Sequence, residues 1–241
     1  MGGLNSGIRS FVAAIVTWLR RASAPRPVLL TAPGFFLVAI ATFPGVLRGE
    51  VIAPVDVLDI APPWSLVGAP HEPPINPLRS DIIDSYIPSM TVFGERIRSG
   101  DIPLWNDSIK QGVPFFQFIG NGLLHPLAWI WAVMPPEDAI TYTILFKLTL
   151  LGLGMYAMLR AMGVSPLAAF IGGIIYQFQG FNVVWLFWPQ TLVAGAAPLL
   201  FAALLHHWRS PTPRSVAYLA GATFLLLAGG FPSVAGYAMY F

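Results

Sequence analysis

The sequence predicts an all-α polytopic membrane protein, in which a bundle of transmembrane helices carries one large loop outside the membrane. Of its 241 residues, 56% are hydrophobic and only 10% are charged, whereas soluble domains carry about 25% charged residues. The mean hydropathy is +0.68, and one soluble core of this size could not bury so many apolar runs. In addition, every acidic residue lies between Glu50 and Asp138, with hydrophobic segments on both sides.

Composition also excludes several classes of function. The net charge of +2 is too small to indicate a nucleic-acid-binding protein, and the basic residues form no patch interleaved with aromatic residues. The chain has no cysteine, which excludes disulfides and thiolate chemistry. It has neither a Gly-rich phosphate loop nor a nucleophile elbow.

Residues 1–27 form a cytoplasmic or interfacial N-terminal segment in this interpretation. They contain the apolar run FVAAIVTWL, followed by Arg20 and Arg21. Because a spanning helix needs about 20 residues, this run is expected to lie along the membrane surface with its arginines on lipid headgroups. The alternative is a signal peptide, although the charged flank is then on the wrong side of the apolar run.

Residues 28–241 are predicted to form the transmembrane domain. The first span runs from Val28 to Leu47, and the arginines before it place the N-terminus in the cytoplasm and residue 49 outside. The outer loop then extends to about residue 120. Phe241 lies inside an apolar run, which suggests that the chain is the N-terminal part of a longer protein.

A helix is expected to begin near Ser85 in the outer loop, where Pro88 is tolerated only in the first turn. Hydrophobic or small residues recur every three or four positions and so mark one face of this helix; they are Ile83, Ile87, Met90, Gly94 and Ile97. The helix could lie at the membrane surface below an active site, or be a packed amphipathic helix without a functional role.

Four further spans are predicted after an interfacial or re-entrant piece at residues 122–134. They cover Ala139 to Leu159, residues 165–184, Thr191 to Leu205, and Ser215 to Gly229. In the second of these, Ala168 and Gly172, like Ala169 and Gly173, are small residues four positions apart, which is typical of close helix packing.

The best candidates for catalytic residues are Asp81 and Asp84 in the outer loop. They are three positions apart, so they share a face if the helix includes them. One carboxylate could take a proton from an acceptor hydroxyl while the other orients it or holds a divalent metal ion. The alternative is a solvated loop end in which Asp84 or Ser85 caps the helix.

Lys147 is the only charged residue inside a predicted span. Ionisable residues within a membrane are functional candidates, and a lysine facing an outer cavity could hold a lipid phosphate. Its long side chain could equally snorkel to the outer surface.

Polar side chains gather at the outer end of the third span. They could line a sugar site or form interhelical hydrogen bonds, and they are Tyr176, Gln177, Gln179 and Asn182. His125 stands alone beside a proline, where a structural role is favoured over ligation. His206 and His207 have no carboxylate partner, so no metal site is predicted there.

The outer loop resembles the YfhO-type bacterial membrane proteins, which are similar to GT-C glycosyltransferases. The resemblance covers about residues 78–185, including the stretch 147–181 that is similar to two helices of the family. Its motif residues, in order, are Asp81, Pro88, Gly100, Pro103, Leu104, Trp105, Asn106, Gly112, Pro114, Pro126 and Leu127. Two positions depart from the family's pattern: Asp84 replaces a different polar residue, and His125 stands where relatives often carry an aromatic.

The resemblance implies a GT-C-like helix bundle in the bacterial plasma membrane. It also implies inverting transfer of a sugar from a polyprenyl-phosphate donor to an envelope acceptor on the outer face, with Asp81 as the base. The expected partners are therefore the lipid-linked sugar, membrane lipid, and a glycan or lipid-linked acceptor. Trp105, Asn106 and His125 are added to the candidate substrate-binding residues, and no cofactor beyond the possible divalent metal is expected. The alternatives are a non-catalytic membrane scaffold and a lipid-handling or transport protein of envelope assembly.

Overall fold

The computed structural model describes residues 28–60, 62–67, 79–107, 112–115 and 122–240; the predicted interfacial segment 1–27 lies outside these ranges. The described chain is mostly helical. Its α-helices are α1 (Ala32–Thr42), α2 (Ile87–Arg98), α3 (Ile130–Val133), α4 (Pro136–Ala161), α5 (Pro166–Gln177), α6 (Gly180–Val184), α7 (Gln190–Arg209), α8 (Pro213–Ala228) and α9 (Pro232–Tyr240). Strands β1 (Trp105–Asn106) and β2 (Val113–Pro114) form a short antiparallel pair.

Helix α4 is the centre of the bundle and packs against α1, α5 and α7, while α8 packs against α7. Among the described residues, α4 and α7 are long and apolar enough to cross a membrane. Three shorter apolar helices accompany them, covering Val28–Thr42, Pro166–Gln177 and Pro213–Ala228. The prediction of an all-α fold is therefore confirmed for these residues.

Two predicted spans are shorter than expected, because the chain leaves the helix at particular residues. The first ends at Thr42: the backbone of Phe43 is not helical, and Pro44 begins a separate 3-10 turn. The continuous third span is wrong, because α5 ends at Gln177 and the side chain of Gln179 accepts a hydrogen bond from the Phe181 N–H to cap α6. The capping bond makes the start of a new helix more favourable than continuation of the old one.

The predicted close packing by small residues is confirmed at α5. A Cβ added to Gly173 would come within 2.7 Å of the Gly152 carbonyl oxygen of α4 and 2.6 Å of the Phe35 ring. On the opposite side of α4, a Cβ on Gly154 would lie 2.4 Å from the Gly195 carbonyl oxygen of α7. The backbones of three helices therefore approach one another where side chains are absent.

Helix α4 carries acidic residues in its first turn and a basic residue in its last turn. Glu137 and Asp138 lie in its first turn, and the Thr141 hydroxyl accepts a hydrogen bond from the Ile52 N–H, 3.1 Å away, which brings the outer loop to this end. Arg160 lies in the last turn, and the Arg209 guanidinium donates to the Ala161 carbonyl. At 1.5 Å per residue, Thr141 and Arg160 are separated by about 28 Å along the axis.

This separation of charge predicts the orientation of the chain in a membrane. Reporter fusions after Arg160 and Arg209 should give cytoplasmic signals, and a fusion after Asp107 should give an extracytoplasmic signal, because Lys and Arg near helix ends are retained on the inner side. A cytoplasmic signal at Asp107 would contradict the orientation.

Candidate functional site

The helix that carries the predicted acids begins with an unusual turn. Residues Ile82–Tyr86 form a π-helical segment in which the Ile87 N–H donates to the Ile82 carbonyl, five positions back. Pro88 follows directly, and it has no N–H with which to bond the Asp84 carbonyl; its ring also crowds that carbonyl. The wider turn accommodates the proline and lets the helix run through it. Such π turns occur frequently at functional sites.

The extra residue in the π turn rotates the buried face of this helix. Ile82, Tyr86, Met90 and Phe93 are buried, whereas Ile83 and Ile87 of the predicted face are only half-buried. The predicted helix and its amphipathic character are therefore confirmed. The predicted apolar face is wrong in the first two turns, because the α-helical period is interrupted by the π turn.

Helix α2 is fixed to the bundle through the backbone of Trp131. A Cβ on Gly94 would lie 2.0 Å from the Trp131 carbonyl oxygen, so only glycine permits this approach. The same carbonyl accepts a 2.8 Å hydrogen bond from the Arg98 guanidinium. The Tyr86 ring meets the Trp131 indole edge to face, with centroids 6.3 Å apart. These contacts distributed along the helix set its position.

Asp81 and Asp84 lie on the exposed side of the π-helical segment that leads into α2. Neither carboxylate has a hydrogen-bond or ion-pair partner within the described part of the chain. The predicted alternative, a helix cap by Asp84 or Ser85, is not observed: Asp81 occupies the N-cap position, and its side chain makes no capping bond. Two residues earlier, Arg79 forms a 2.9 Å ion pair with Asp56, which holds the start of the segment against the preceding loop.

Lys147 lies on α4 beneath this helix, and its side chain is 1% exposed. Its ammonium donates to the carbonyl oxygens of Leu186, Phe187 and Trp188, at 3.3, 3.4 and 2.9 Å. The ammonium also lies 5.8 Å from the centroid of the Tyr86 ring, within the range of a cation–π interaction. Lys147 therefore neither faces an open outer cavity nor snorkels to the surface, and its predicted contact with a lipid phosphate stays a prediction.

His125 is also buried, with 1% exposure. Its Nδ1 accepts a 3.2 Å hydrogen bond from the Leu127 N–H, which caps the 3-10 turn Pro126–Trp129. Burial, followed by the positive charge of Lys147, lowers the pKa of His125 to about 4. The imidazole is therefore neutral at pH 7, with the proton on Nε2, which is buried and has no partner among the described residues.

The polar residues at the end of α5 form hydrogen bonds between helices. The Tyr176 hydroxyl donates to the Ala194 carbonyl at 3.0 Å. The Gln177 amide donates to the carbonyls of Leu148 and Phe35, at 3.0 and 3.3 Å. This geometry agrees with the second of the two predicted roles, and the sugar-binding role of Tyr176, Gln177 and Gln179 stays a prediction.

Trp105 and Asn106 belong to the short hairpin after α2. Gly100 ends α2 in the left-handed conformation, with φ of +81°, and β1 then pairs with β2. Asn106 is buried with 3% exposure, whereas half of Trp105 is exposed. The Trp105 carbonyl accepts a hydrogen bond from Arg96, which fastens the hairpin to α2. The exposed indole is accessible to a ligand.

A surface cleft of about 420 Å³ lies beside the C-terminal end of α1. Arg48 and Glu50, which form a 2.6 Å ion pair, lie on its wall together with Phe187. Neither Asp81 nor Lys147 lines it. Among the described residues, no three His, Asp or Glu side chains come together as a metal-binding group.

Comparison with known proteins does not assign the chain to a family. No protein-family model matches the sequence, and no curated protein or solved structure gives a significant match.

The contact between Gly94 and Trp131 predicts a strong effect of one methyl group. Gly94→Ala should destabilise the protein by about 1–3 kcal/mol, because the added carbon has no space beside the carbonyl. Gly221→Ala in α8 is the matched control, since a Cβ there meets nothing within 4 Å. Thermal unfolding of the purified variants in detergent measures the difference, and equal midpoints for the two variants would contradict the docking described here.

Proposed function

We propose that this chain is part of a membrane glycosyltransferase that moves a sugar from a polyprenyl-phosphate donor to an envelope acceptor on the outer face of the plasma membrane. The observation that carries the proposal is the pair of exposed carboxylates, Asp81 and Asp84, which have no partner among the described residues and lie on a turn that leads into a helix docked to an apolar bundle. The order of motifs in the outer loop, which resembles YfhO-type proteins, supplies the reaction class.

The surface of the bundle supports its placement in a membrane. Large apolar side chains are exposed on the outward faces of several helices, where water would disfavour them and lipid would not. They include Leu37, Ile171, Ile175, Leu204, Phe224 and Leu227. With α4 and α7 long enough to span a bilayer, this arrangement favours a polytopic protein whose acid-bearing helix lies at the outer membrane surface.

Asp81 has the role of general base in this proposal. A hydroxyl acceptor is a weak nucleophile until its proton is removed, and the carboxylate takes that proton as the new glycosidic bond forms. The bond from the sugar to the polyprenyl phosphate breaks in the same step, and the phosphate leaves with the electron pair. Asp84, on the same exposed face, orients the acceptor or the carboxylate of Asp81. The exposed Trp105 offers an apolar face to a sugar ring.

Sugar transfer by the purified full-length protein tests these roles. Asp81→Asn keeps the size of the side chain and removes the base, so the rate should fall by about 10²–10⁴-fold. The transfer rate of Asp84→Asn should fall less than that of Asp81→Asn if Asp84 only orients the acceptor or Asp81. It should fall by a comparable factor if the two acids share one task. Asp107→Asn is the matched control, because Asp107 is an exposed acid of the same loop.

Insertion and expression of each variant must equal those of the wild type. Near-wild-type transfer by Asp81→Asn would show that Asp81 is not the base and would leave Asp84 as the next candidate. Full activity in both variants would leave the outer loop a structural element and favour the alternative of a non-catalytic scaffold.

A further inference from the structure

Lys147 carries a buried charge at the junction of three elements. It belongs to α4, its ammonium bonds the turn at residues 186–188, and it faces the Tyr86 ring at the end of the π-helical segment. Among the described residues, Lys147 has no carboxylate partner within ion-pair distance. Taking an ammonium out of water is costly unless its protons are bonded, and here its compensation comes from carbonyl dipoles and an aromatic face.

The three carbonyls use the full donor capacity of the ammonium. An ammonium has three protons, and the described contacts provide three acceptors. A phosphate oxygen would therefore have to displace a carbonyl of the turn. The turn is itself held by Thr191, whose hydroxyl donates to the Trp188 carbonyl at 2.9 Å. A direct contact with the donor phosphate would thus break bonds that maintain the fold.

The Tyr86 side chain connects Lys147 to the segment that carries the proposed base. The centroid of the Tyr86 ring lies 5.8 Å from the ammonium and 6.3 Å from the centroid of the Trp131 indole. Tyr86 ends the π-helical segment that has Asp81 as its N-cap and contains Asp84. The position of this ring therefore fixes the rotation of the turn on which both carboxylates lie.

We infer that Lys147 is a positioning residue, which holds the turn at residues 186–188 and supports Tyr86, and thereby sets the orientation of the turn carrying Asp81 and Asp84. Its effect on catalysis rests on the function proposed above, whereas its effect on the position of the helix does not. Lys147 acts through Tyr86 and makes no contact with the donor.

The absence of cysteine from the chain permits a direct measurement of this position. Spin labels at Ser85→Cys and Val216→Cys, both exposed positions, report by pulsed electron paramagnetic resonance the distance between the acid-bearing segment and helix α8, which is separate from the turn at residues 186–188. In the otherwise unchanged protein, reconstituted in nanodiscs, the distance distribution should be narrow. Lys147→Met should broaden or shift the distance distribution, because methionine keeps most of the length of the side chain and loses the charge and its hydrogen bonds.

Tyr86→Leu supplies a second variant in case Lys147→Met does not fold. It leaves Lys147 and its carbonyl partners in place and removes the ring, so it should broaden the same distribution. Thr149→Val in α4 is the matched control, since it removes a buried 2.8 Å hydrogen bond to the Leu145 carbonyl within the same helix, away from the turn and from Tyr86, and should leave the distance unchanged. An unchanged distribution in Tyr86→Leu, or in a folded Lys147→Met, would overturn the inference.

Kinetics of sugar transfer separate positioning from donor binding. A displacement of about 1 Å in a reacting group can cost about 10²-fold in rate, so Lys147→Met should lower kcat by up to about that factor with little change in the donor KM. A raised KM with an unchanged distance distribution would indicate donor contact and overturn the inference. If the distribution broadens while Asp81→Asn retains full activity, the positioning role stands and the proposed function fails.

Discussion

The buried ammonium of Lys147 is the interaction on which the arrangement of the site depends. A charge with 1% exposure is tolerated in an apolar bundle only when its protons are satisfied, and the carbonyls of residues 186–188 satisfy them. These carbonyls are free to accept because α5 ends at Gln177, the short helix α6 ends at Val184, and α7 begins only at Gln190. The broken third helix and the buried lysine thus have one explanation: the break exposes the backbone acceptors that the lysine needs.

The polar chemistry of the chain is divided between a buried layer and an exposed one. In the buried layer, Lys147 and Gln177 bond to backbone carbonyls of neighbouring elements, and His125 caps the turn that follows it. In the exposed layer, Asp81 and Asp84 have no partner within the described chain and remain available to a ligand. Tyr86 joins the two layers, because it packs on Lys147 and belongs to the turn that carries the acids. The exposed carboxylates therefore lie on a turn that is connected, through Tyr86, to the buried hydrogen bonds below it.

Much of the helical framework follows from the sequence, because long apolar runs such as Ala139 to Leu159 have few alternatives to a buried or membrane-embedded helix. Local polar bonds account for the differences: the Gln179 cap interrupts the third span, and Pro88 imposes a π turn that rotates the face of the acid-bearing helix. The environment of Lys147 could not be predicted, because its partners are backbone carbonyls about 40 positions away. Every residue type has a backbone carbonyl, so the sequence does not indicate which residues accept these hydrogen bonds.

In the proposed mechanism, a polyprenyl-phosphate donor binds beside the turn that carries Asp81 and Asp84, at the end of the bundle opposite Arg160 and Arg209. A photoreactive polyprenyl phosphate, added to the protein in nanodiscs and followed by peptide mapping with mass spectrometry, locates this donor site. Cross-links are expected within residues 79–107, and unlabelled polyprenyl-phosphate sugar should remove them by competition. Cross-links confined to the end containing Arg160 and Arg209, or labelling that no polyprenyl-phosphate sugar reduces, would exclude this donor site.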